Sequence, residues 1–395
     1  MNVLFQTLDD KKECVGIYAN NEIQNTIPTG ITKTWSYAAY LEDLQIEYAS
    51  LYCDGKPISQ VVPEHLQQEW AEISAKMKAF FKAFTTAKID LKLVCFYDMV
   101  PRDVLLEWCD LKSKICDYIF ENYERPANYE FLVELTKLTE KIKYQQVNID
   151  LSAISSPLES YRSRSFINKM KKINPFIEYN IFGSVTGRLS TKPNSFPIMT
   201  MDKKYRKIVK PHNDWFVELD FNAAELRTFI ALNKRDQPQE DLHEWNIKNI
   251  FRGFGTREEA KTRLFAWLYN PKSEDYLLNR EYDRDAIINE YFDGTHVNTP
   301  YDRKIRAIPK NALNYLIQST SSDLFLRQVI KINKLLQDRG SFISWTLHDS
   351  VMIDLKDEDK PILKEIIAQF GDTDFGKYLV NVSAGKNFGD LKKIK

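Results

Sequence analysis

Hydrophobic and polar positions alternate between short apolar runs and longer helical patterns along this chain. Over residues 2–24, VLFQTL and CVGIY flank the polar DDKKE, which predicts a β-hairpin. Residues 64–87 read as a helix, and LKLVCFY (91–97) reads as a short apolar strand. From about 103 to 145 the pattern is helical, with Leu105, Leu106, Trp108, Leu111, Ile115, Tyr118 and Ile119 in step, and ERPAN (124–128) breaks it. The Ser-rich SAISSPLES (152–160) reads as a connector and a boundary.

Beyond residue 160 the organisation changes. WFVELD (215–220) predicts a strand that ends on Asp220, with NAAELRTFIALN (222–233) as a helix directly behind it. TREEAKTRLFAWLYN (256–270) predicts a second helix, started by a Thr256/Glu259 capping box and stopped by Pro271. Residues 310–340 form a long helical region closed by Gly340, and SFISWTLHDSVMIDL (341–355) predicts two strands around a tight His-Asp-Ser turn.

Composition bounds this picture. The 395 residues suffice for two or three domains, and 43% hydrophobic with 28% charged residues excludes wholesale disorder. No apolar run of about 18 residues predicts a transmembrane helix, and MNVLFQTLDDKKE lacks the features of a secretory signal. Cys14, Cys53, Cys95, Cys109 and Cys116 form no CxxC pairs and are expected to be ordinary thiols in a reducing compartment. The net charge of zero argues against a nucleic-acid binder, but residues 161–215 hold twelve Lys/Arg and three Asp/Glu. That density suits a segment that tracks phosphates, and equally a solvated basic surface.

Four segments carry candidate chemistry. In LDFNAAELR (219–227) a strand-end carboxylate, Asp220, suits Mg²⁺, although Asn222 and Glu225 also read as a helix cap. On the 256–270 helix Arg257, Lys261, Phe265 and Tyr269 recur every fourth residue. Such a stripe could hold a triphosphate and a base, or simply form an amphipathic face. WTLHDSVMIDL (345–355) puts Asp349 in a hairpin turn, where it is either functional or turn chemistry, and Asp354 is expected to face solvent. In VTGRLSTKPN (185–194), Gly187 before Arg188 suggests close backbone approach beside phosphate-bonding side chains. In this order, strand aspartate, basic-aromatic helix and hairpin aspartate suit two-metal phosphoryl transfer.

These segments resemble family A DNA polymerases, the relatives of bacterial DNA polymerase I and of phage replicases. DFNAAELR resembles motif A (D-Y-S-x-I-E-L-R), REEAKTRLFAWLYN motif B (R-x-x-x-K-x-x-x-F-G-x-x-Y-G) and LHDSV motif C (H-D-E-V). FGSVTGRLSTKPN, DLHEWNIKNIF, KNALNYLIQSTSSDL and the terminal GKNFGDL resemble four further family segments, so seven fall in family order over roughly 160–395. The resemblance implies that Asp220 and Asp349, with the Phe221 carbonyl, bind two Mg²⁺ ions. It implies that Glu225 excludes ribonucleotides and that Arg257, Lys261 and His243 hold the triphosphate, with Lys261 also counted as catalytic. Phe265 and Tyr269 would form the nucleotide pocket, and Arg188, Lys310, Asn314, Gln318 and His348 would contact DNA. Several positions depart from the pattern: Leu264-Phe265-Ala266 and Asn270 in motif B, Lys310 for arginine, and Ser350 for the glutamate of H-D-E-V.

The N-terminal FQTLDDKKECVGIY resembles the opening of a 3′–5′ exonuclease, F-D-x-E-T…VGI, with its two acids replaced by Gln6 and Leu8. The implied fold class is α+β: a right-hand polymerase with an antiparallel palm sheet, helical fingers and a reduced thumb, behind a small α/β ribonuclease-H-like remnant. The expected domains are a degenerate exonuclease-like region (1–102), a helical thumb or linker (103–155) and palm with fingers (156–395, fingers about 241–300). The implied function is template-directed DNA synthesis without intrinsic proofreading. A non-catalytic DNA-binding accessory protein is the alternative, and Glu225 disfavours an RNA polymerase. Expected partners are primer-template DNA and dNTPs, with a separate exonuclease subunit, processivity factor or helicase and no membrane. The expected place is the cytoplasm, that of a bacterial host if the source is a phage.

Overall fold

The structure, a computed structural model, describes residues 3–8, 16–91, 94–154 and 161–394. The polar turn at 9–13, Cys14 and residues 155–160 of the expected connector lie outside the described residues. The chain divides into two compact units, Met1–Lys137 and Leu138–Lys395.

The N-terminal unit is built on a five-stranded sheet. Strands β1 (Val3–Thr7), β2 (Ile17–Ala19) and β3 (Glu22–Gln24) form an antiparallel meander, and β4 (Ile31–Thr34) and β5 (Glu47–Tyr48) add in parallel on the other side of β1. The order is β3-β2-β1-β4-β5, with β1 central. Asn20 and Asn21, at φ 53° and 63°, make the tight β2–β3 turn that a twisted hairpin favours. Helices α1 (Gln67–Thr86) and α2 (Arg102–Asn122) cover the sheet. Leu111, Ile115, Cys116 and Ile119 of α2 pack with Ala49, Trp70 and Ile73, while Leu8 packs with Tyr18, Ile23, Met77 and Phe84. This is a small α/β unit, as expected from the sequence. Helix α3 (Tyr129–Lys143) follows the break at 124–128, and the division between the units falls within it.

Two expectations fail here. Leu91 and residues 94–97 form no strand. Their apolar character serves a loop anchor instead: Phe96 is buried, edge-on to Phe81 at 5.3 Å and to Trp108 at 6.1 Å. A short apolar run cannot by itself separate these outcomes. Cys53, Cys109 and Cys116 are buried free thiols, but Cys95 is disulfide-bonded. Such a bond depends on a second Cβ coming within about 4 Å, which spacing along a sequence does not reveal.

The C-terminal unit holds an antiparallel five-stranded sheet. Its central strand is β6 (Trp215–Phe221). Helices α4 (Ala224–Leu232), α5 (Leu242–Asn249), α6 (Arg257–Tyr269), α7 (Tyr276–Glu281) and α8 (Arg284–Tyr291) lead to the long α9 (Pro309–Leu335). The chain then returns through β7 (Phe342–Leu347), β8 (Ser350–Leu355), helix α10 (Leu363–Gly371), β9 (Val380–Gly385) and β10 (Lys392–Ile394). The sheet order is β7-β8-β6-β9-β10. Successive residues of β6 face opposite sides. Val217, Leu219 and Phe221 enter the core, where the Phe221 ring stacks on Phe370 at 4.3 Å. Phe216, Glu218 and Asp220 leave the other face. A separate cluster joins α4, α6 and α9 through Leu226, Phe229, Leu264, Trp267, Leu313 and Leu316. Among the described residues no helix is long and apolar enough to cross a membrane.

Asp354 does not face solvent. It is 1% exposed, and its carboxylate accepts the backbone N–H groups of His212 (2.6 Å) and Asn213 (2.9 Å). Strand β8 lies between β7 and β6, so alternation alone could not place this side chain in water.

Candidate active site

Asp220 is the penultimate residue of the central strand, opposite Ser350 of β8 on one side and Asn381 of β9 on the other. The Asn381 amide donates to its Oδ2 at 3.2 Å. Immediately after it the backbone reverses through Ala223, in the left-handed region at φ 53° and ψ 51°, and α4 begins without a side-chain cap. The capping arrangement of Asn222 with Glu225 therefore does not form. Buried Asn222 instead donates to Asp241 Oδ2 (2.8 Å) and accepts from the Leu242 N–H (3.2 Å), which leaves Glu225 to point into the site. Asp349 sits in the two-residue turn between β7 and β8, beside His348, which holds a positive φ of 57°.

Both aspartates line one cavity of about 350 Å³. The Asp220 carboxyl is pushed up to about 7, first by burial and then by the negative charge of Asp349, with the Asn381 hydrogen bond opposing. Asp349 is raised as well, by burial, against the pull of its own backbone N–H and of His348. Two half-buried carboxylates that disfavour their own charge form a site that a cation would stabilise. Among the described residues no group of three His, Cys, Asp or Glu side chains is placed to hold a metal. A pair of hard oxygen donors still fits Mg²⁺, which takes one or two protein carboxylates and otherwise water and phosphate oxygens.

Helix α6 forms another part of the cavity wall. Its capping box is present: Thr256 Oγ1 accepts the Glu259 N–H, and Glu259 reaches back to the Thr256 N–H at 2.7 Å. Arg257, Lys261 and Phe265 all line the cavity, and Phe265 lies parallel to Tyr269 with ring centroids 5.8 Å apart. Arg257 is engaged with Asp241 (Nη2–Oδ2, 2.9 Å), whereas Lys261 forms no ion pair among the described residues. Burial raises the cost of charge on Asp241, but hydrogen bonds from Arg257 and Asn222 hold its carboxyl well below the usual range. His243, 3% exposed, borders the same cavity, and burial followed by the Arg257 charge lowers its pKa. Glu225 is gripped by Arg188 and by the Tyr269 hydroxyl.

The structure thus brings together Asp220, Phe221, Asp349, Glu225, His243, Arg257, Lys261 and Phe265 with Arg188 and His348. Tyr269 joins through Glu225. Lys310 and Asn314 border a separate cavity of about 80 Å³ that also touches Tyr269, and Gln318 lies half-buried one turn further along α9. Several residues were not singled out from sequence. Asp241 holds Arg257 and caps α5, a role signalled by Asp before a helical run. Ser321, Ser322 and Asn381 line the cavity without a periodic signal. Arg303 makes a two-pronged bond to fully buried Asp323 (3.0 and 2.8 Å), and its guanidinium fills the space beside Gly187, where a Cβ would lie 2.6 Å away. Gly187, at φ 75°, is therefore needed for close approach, as its place before Arg188 suggested.

Comparison with known proteins gives relatives of one kind. No family model matches the chain. It is 27% identical to the DNA polymerase of Bacillus phage SP01 over 54% of this chain and 31% of the relative. It is 24% identical to DNA polymerase I of Caldicellulosiruptor bescii over 47% of this chain and 28% of the relative. With DNA polymerase I of Chloroflexus aurantiacus the identity is 23%, over 55% and 29%. The matches thus span less than a third of each of these relatives. Among solved structures, the POL domain of Pol1 from M. smegmatis, in complex with DNA primer-template and dNTP, superposes with a TM-score of 0.63 at 11% identity, covering 98% of this chain and 96% of that one. The chain has the fold of a polymerase domain and is similar in sequence to the family A DNA polymerases.

Proposed function

We propose that the chain is a template-directed DNA polymerase that adds deoxynucleotides to a primer 3′-OH. The observation that carries this reading is one cavity in which an aspartate pair and a cation-aromatic helix stripe both line the wall. Asp220 and Asp349, with the Phe221 carbonyl, would hold two Mg²⁺ ions. Bound there, the ions would stabilise the attacking and leaving oxygens of an in-line displacement. Lys261, which has no carboxylate partner among the described residues, neutralises the triphosphate, and Arg257 joins it on leaving Asp241. His243 adds a neutral donor to the same phosphates. Phe265 and Tyr269 offer aromatic faces for the incoming base and sugar. Glu225, fixed by Arg188 and Tyr269, occupies the space a ribonucleotide 2′-OH needs. Arg188, Lys310, Asn314, Gln318 and His348 are assigned to primer and template.

The palm and fingers are assigned to residues 156–395, with the fingers about 241–300; of the helices within 103–155, α2 packs in the N-terminal unit, which leaves α3 (Tyr129–Lys143) for the thumb-like part. The region 1–102 is read as an exonuclease relic. The two positions that match its acids carry Gln6, 0% exposed, and Leu8, 1% exposed, so the chemistry of metal-bound carboxylates has no residues there. Proofreading then falls to a separate partner in the compartment where replication occurs, read as cytoplasm.

Primer extension with dNTPs and Mg²⁺ tests the reading. Asp220→Ala and Asp349→Ala are each expected to lose roughly 10³-fold or more in rate while remaining folded. Wild-type protein that binds primer-template but never extends it is an accessory protein instead. A preference for ribonucleotides would overturn the role of Glu225, and removal of 3′ nucleotides would overturn the relic.

A further inference from the structure

Glu218 is a carboxylate that none of these roles uses. It precedes Asp220 by two residues on β6, so both side chains leave the same face of the strand. On the neighbouring strand Ser350 lies opposite Asp220, and its hydroxyl is 3.2 Å from Glu218 Oε1 and 3.1 Å from the Leu347 carbonyl. One hydroxyl proton can serve only one acceptor, and the charged carboxylate is the stronger. Ser350 is also the position at which the H-D-E-V pattern carries a glutamate. The missing carboxylate and the additional one thus meet across adjacent strands, joined by a hydrogen bond.

Glu218 lies within electrostatic reach of both Asp220 and Asp349. Arg206 is the cation that offsets it, but that guanidinium is already placed over the Phe388 ring at 4.6 Å. A third half-buried carboxylate beside two others is costly unless a stronger countercharge enters. No three acidic or imidazole groups among the described residues are arranged to share one ion, so Glu218 is not read as a direct ligand.

We infer that Glu218 is a positioning residue of the metal centre, supplying from the central strand the carboxylate that the H-D-E-V pattern places at position 350, with Ser350 as its anchor. The inference rests on the polymerase reading for its purpose and on the strand register for its geometry. Outside the ligand set, its charge strengthens divalent-cation binding at Asp220 and Asp349, as outer partners of metal sites do.

The test measures Mg²⁺ binding to the full chain by calorimetry, alongside the Mg²⁺ dependence of primer extension. E218Q, which keeps the shape, is expected to bind Mg²⁺ roughly 10-fold more weakly. S350A, which removes only the anchor, is expected to weaken binding by about two- to fivefold. E218S is expected to be as weak as E218Q, and the exchanged pair E218S/S350E to recover to within about threefold of wild type. A purely structural role for Glu218 predicts no such recovery. E218Q with wild-type Mg²⁺ affinity overturns the inference, as does a folded exchanged pair that stays as weak as E218S. If wild-type protein fails to extend primers while E218Q still loses Mg²⁺ affinity, the polymerase reading falls and the role of Glu218 stands.

Discussion

Gln6 and Asp220 occupy matching places: each lies on the central strand of a five-stranded sheet. Gln6 is wholly buried, and its amide donates to Cys116 Sγ at 3.3 Å. Leu8, two residues on, is packed among Tyr18, Ile23 and Met77. Asp220 instead faces a cavity of about 350 Å³ with a second carboxylate beside it. In the first unit the side chains have closed over the strand end and nothing there repels anything else. In the second the like charges remain, each raised in pKa, although His348 and Arg188 pull the other way at Asp349. Natural sequences lose such costly arrangements unless something selects for them. The contrast between a filled strand end and an open carboxylate pair distinguishes the two units better than either motif alone.

The comparison breaks most sharply if acid can be returned to the first unit without penalty. Leu8→Glu restores the acid of the exonuclease pattern but places it in a packed core. The expected cost is ~3 kcal/mol or more, read as a fall in the urea midpoint, with no gain of 3′-nucleotide removal. A variant as stable as wild type would mean that the strand end is open after all.

The second unit should carry a pH signature at its strand-end carboxyl, where the first has none. Asp220 is raised from 3.8 to about 7, so between these values the folded state holds a proton that the unfolded chain has released. For a raised carboxyl the stabilising contribution is complete below about pH 4 and is lost as pH climbs to about 7. Metal-free protein should therefore lose stability over that range relative to Asp220→Asn, by at most ~4 kcal/mol. Melting curves in chelator across pH check this, and saturating Mg²⁺ should remove the loss. Equal slopes for the two proteins would mean that Asp220 is not held as described.

Much of this was legible in sequence where local rules decide. The capping box at Thr256, the stripe on α6, the strand that carries Asp220 to within one residue of its end and the His-Asp turn all follow from period and cap chemistry. Long-range partners were not legible. Nothing in the sequence joins Arg257 to Asp241, Arg303 to Asp323 or Ser350 to Glu218, because each pair meets only after the helices pack or the strands register. Asp354 misled for the same reason: alternation places a side chain on a face, but only the sheet order says whether that face is covered. Asn222 misled differently, since its cap signature was sound and tertiary partners outcompeted it.

The smallest expected effect concerns the backbone. Ala223, at φ 53° and ψ 51°, carries a Cβ in the left-handed region directly behind Asp220, a conformation costing roughly 1–2 kcal/mol. The first unit uses the same region at Asn20 and Asn21, with a residue type that tolerates it. Ala223→Gly should relieve the strain, with part of the gain offset by greater freedom of the unfolded chain, and leave a net stabilisation of about 0.5–1 kcal/mol. Asn20→Gly should change stability by only a few tenths of a kcal/mol. Lys88, Lys234 and Arg252 hold the same region away from the cavity, but at Ala223 the turn directly follows Asp220, where a side chain must be aimed. Ala223→Gly should therefore gain stability while extension slows by no more than about threefold, as Asp220 loses some of its fixed direction. Thermal melts and single-turnover extension of the two glycine variants decide it, and a stabilised Ala223→Gly with unchanged or faster extension would mean that the left-handed turn does not serve to aim Asp220.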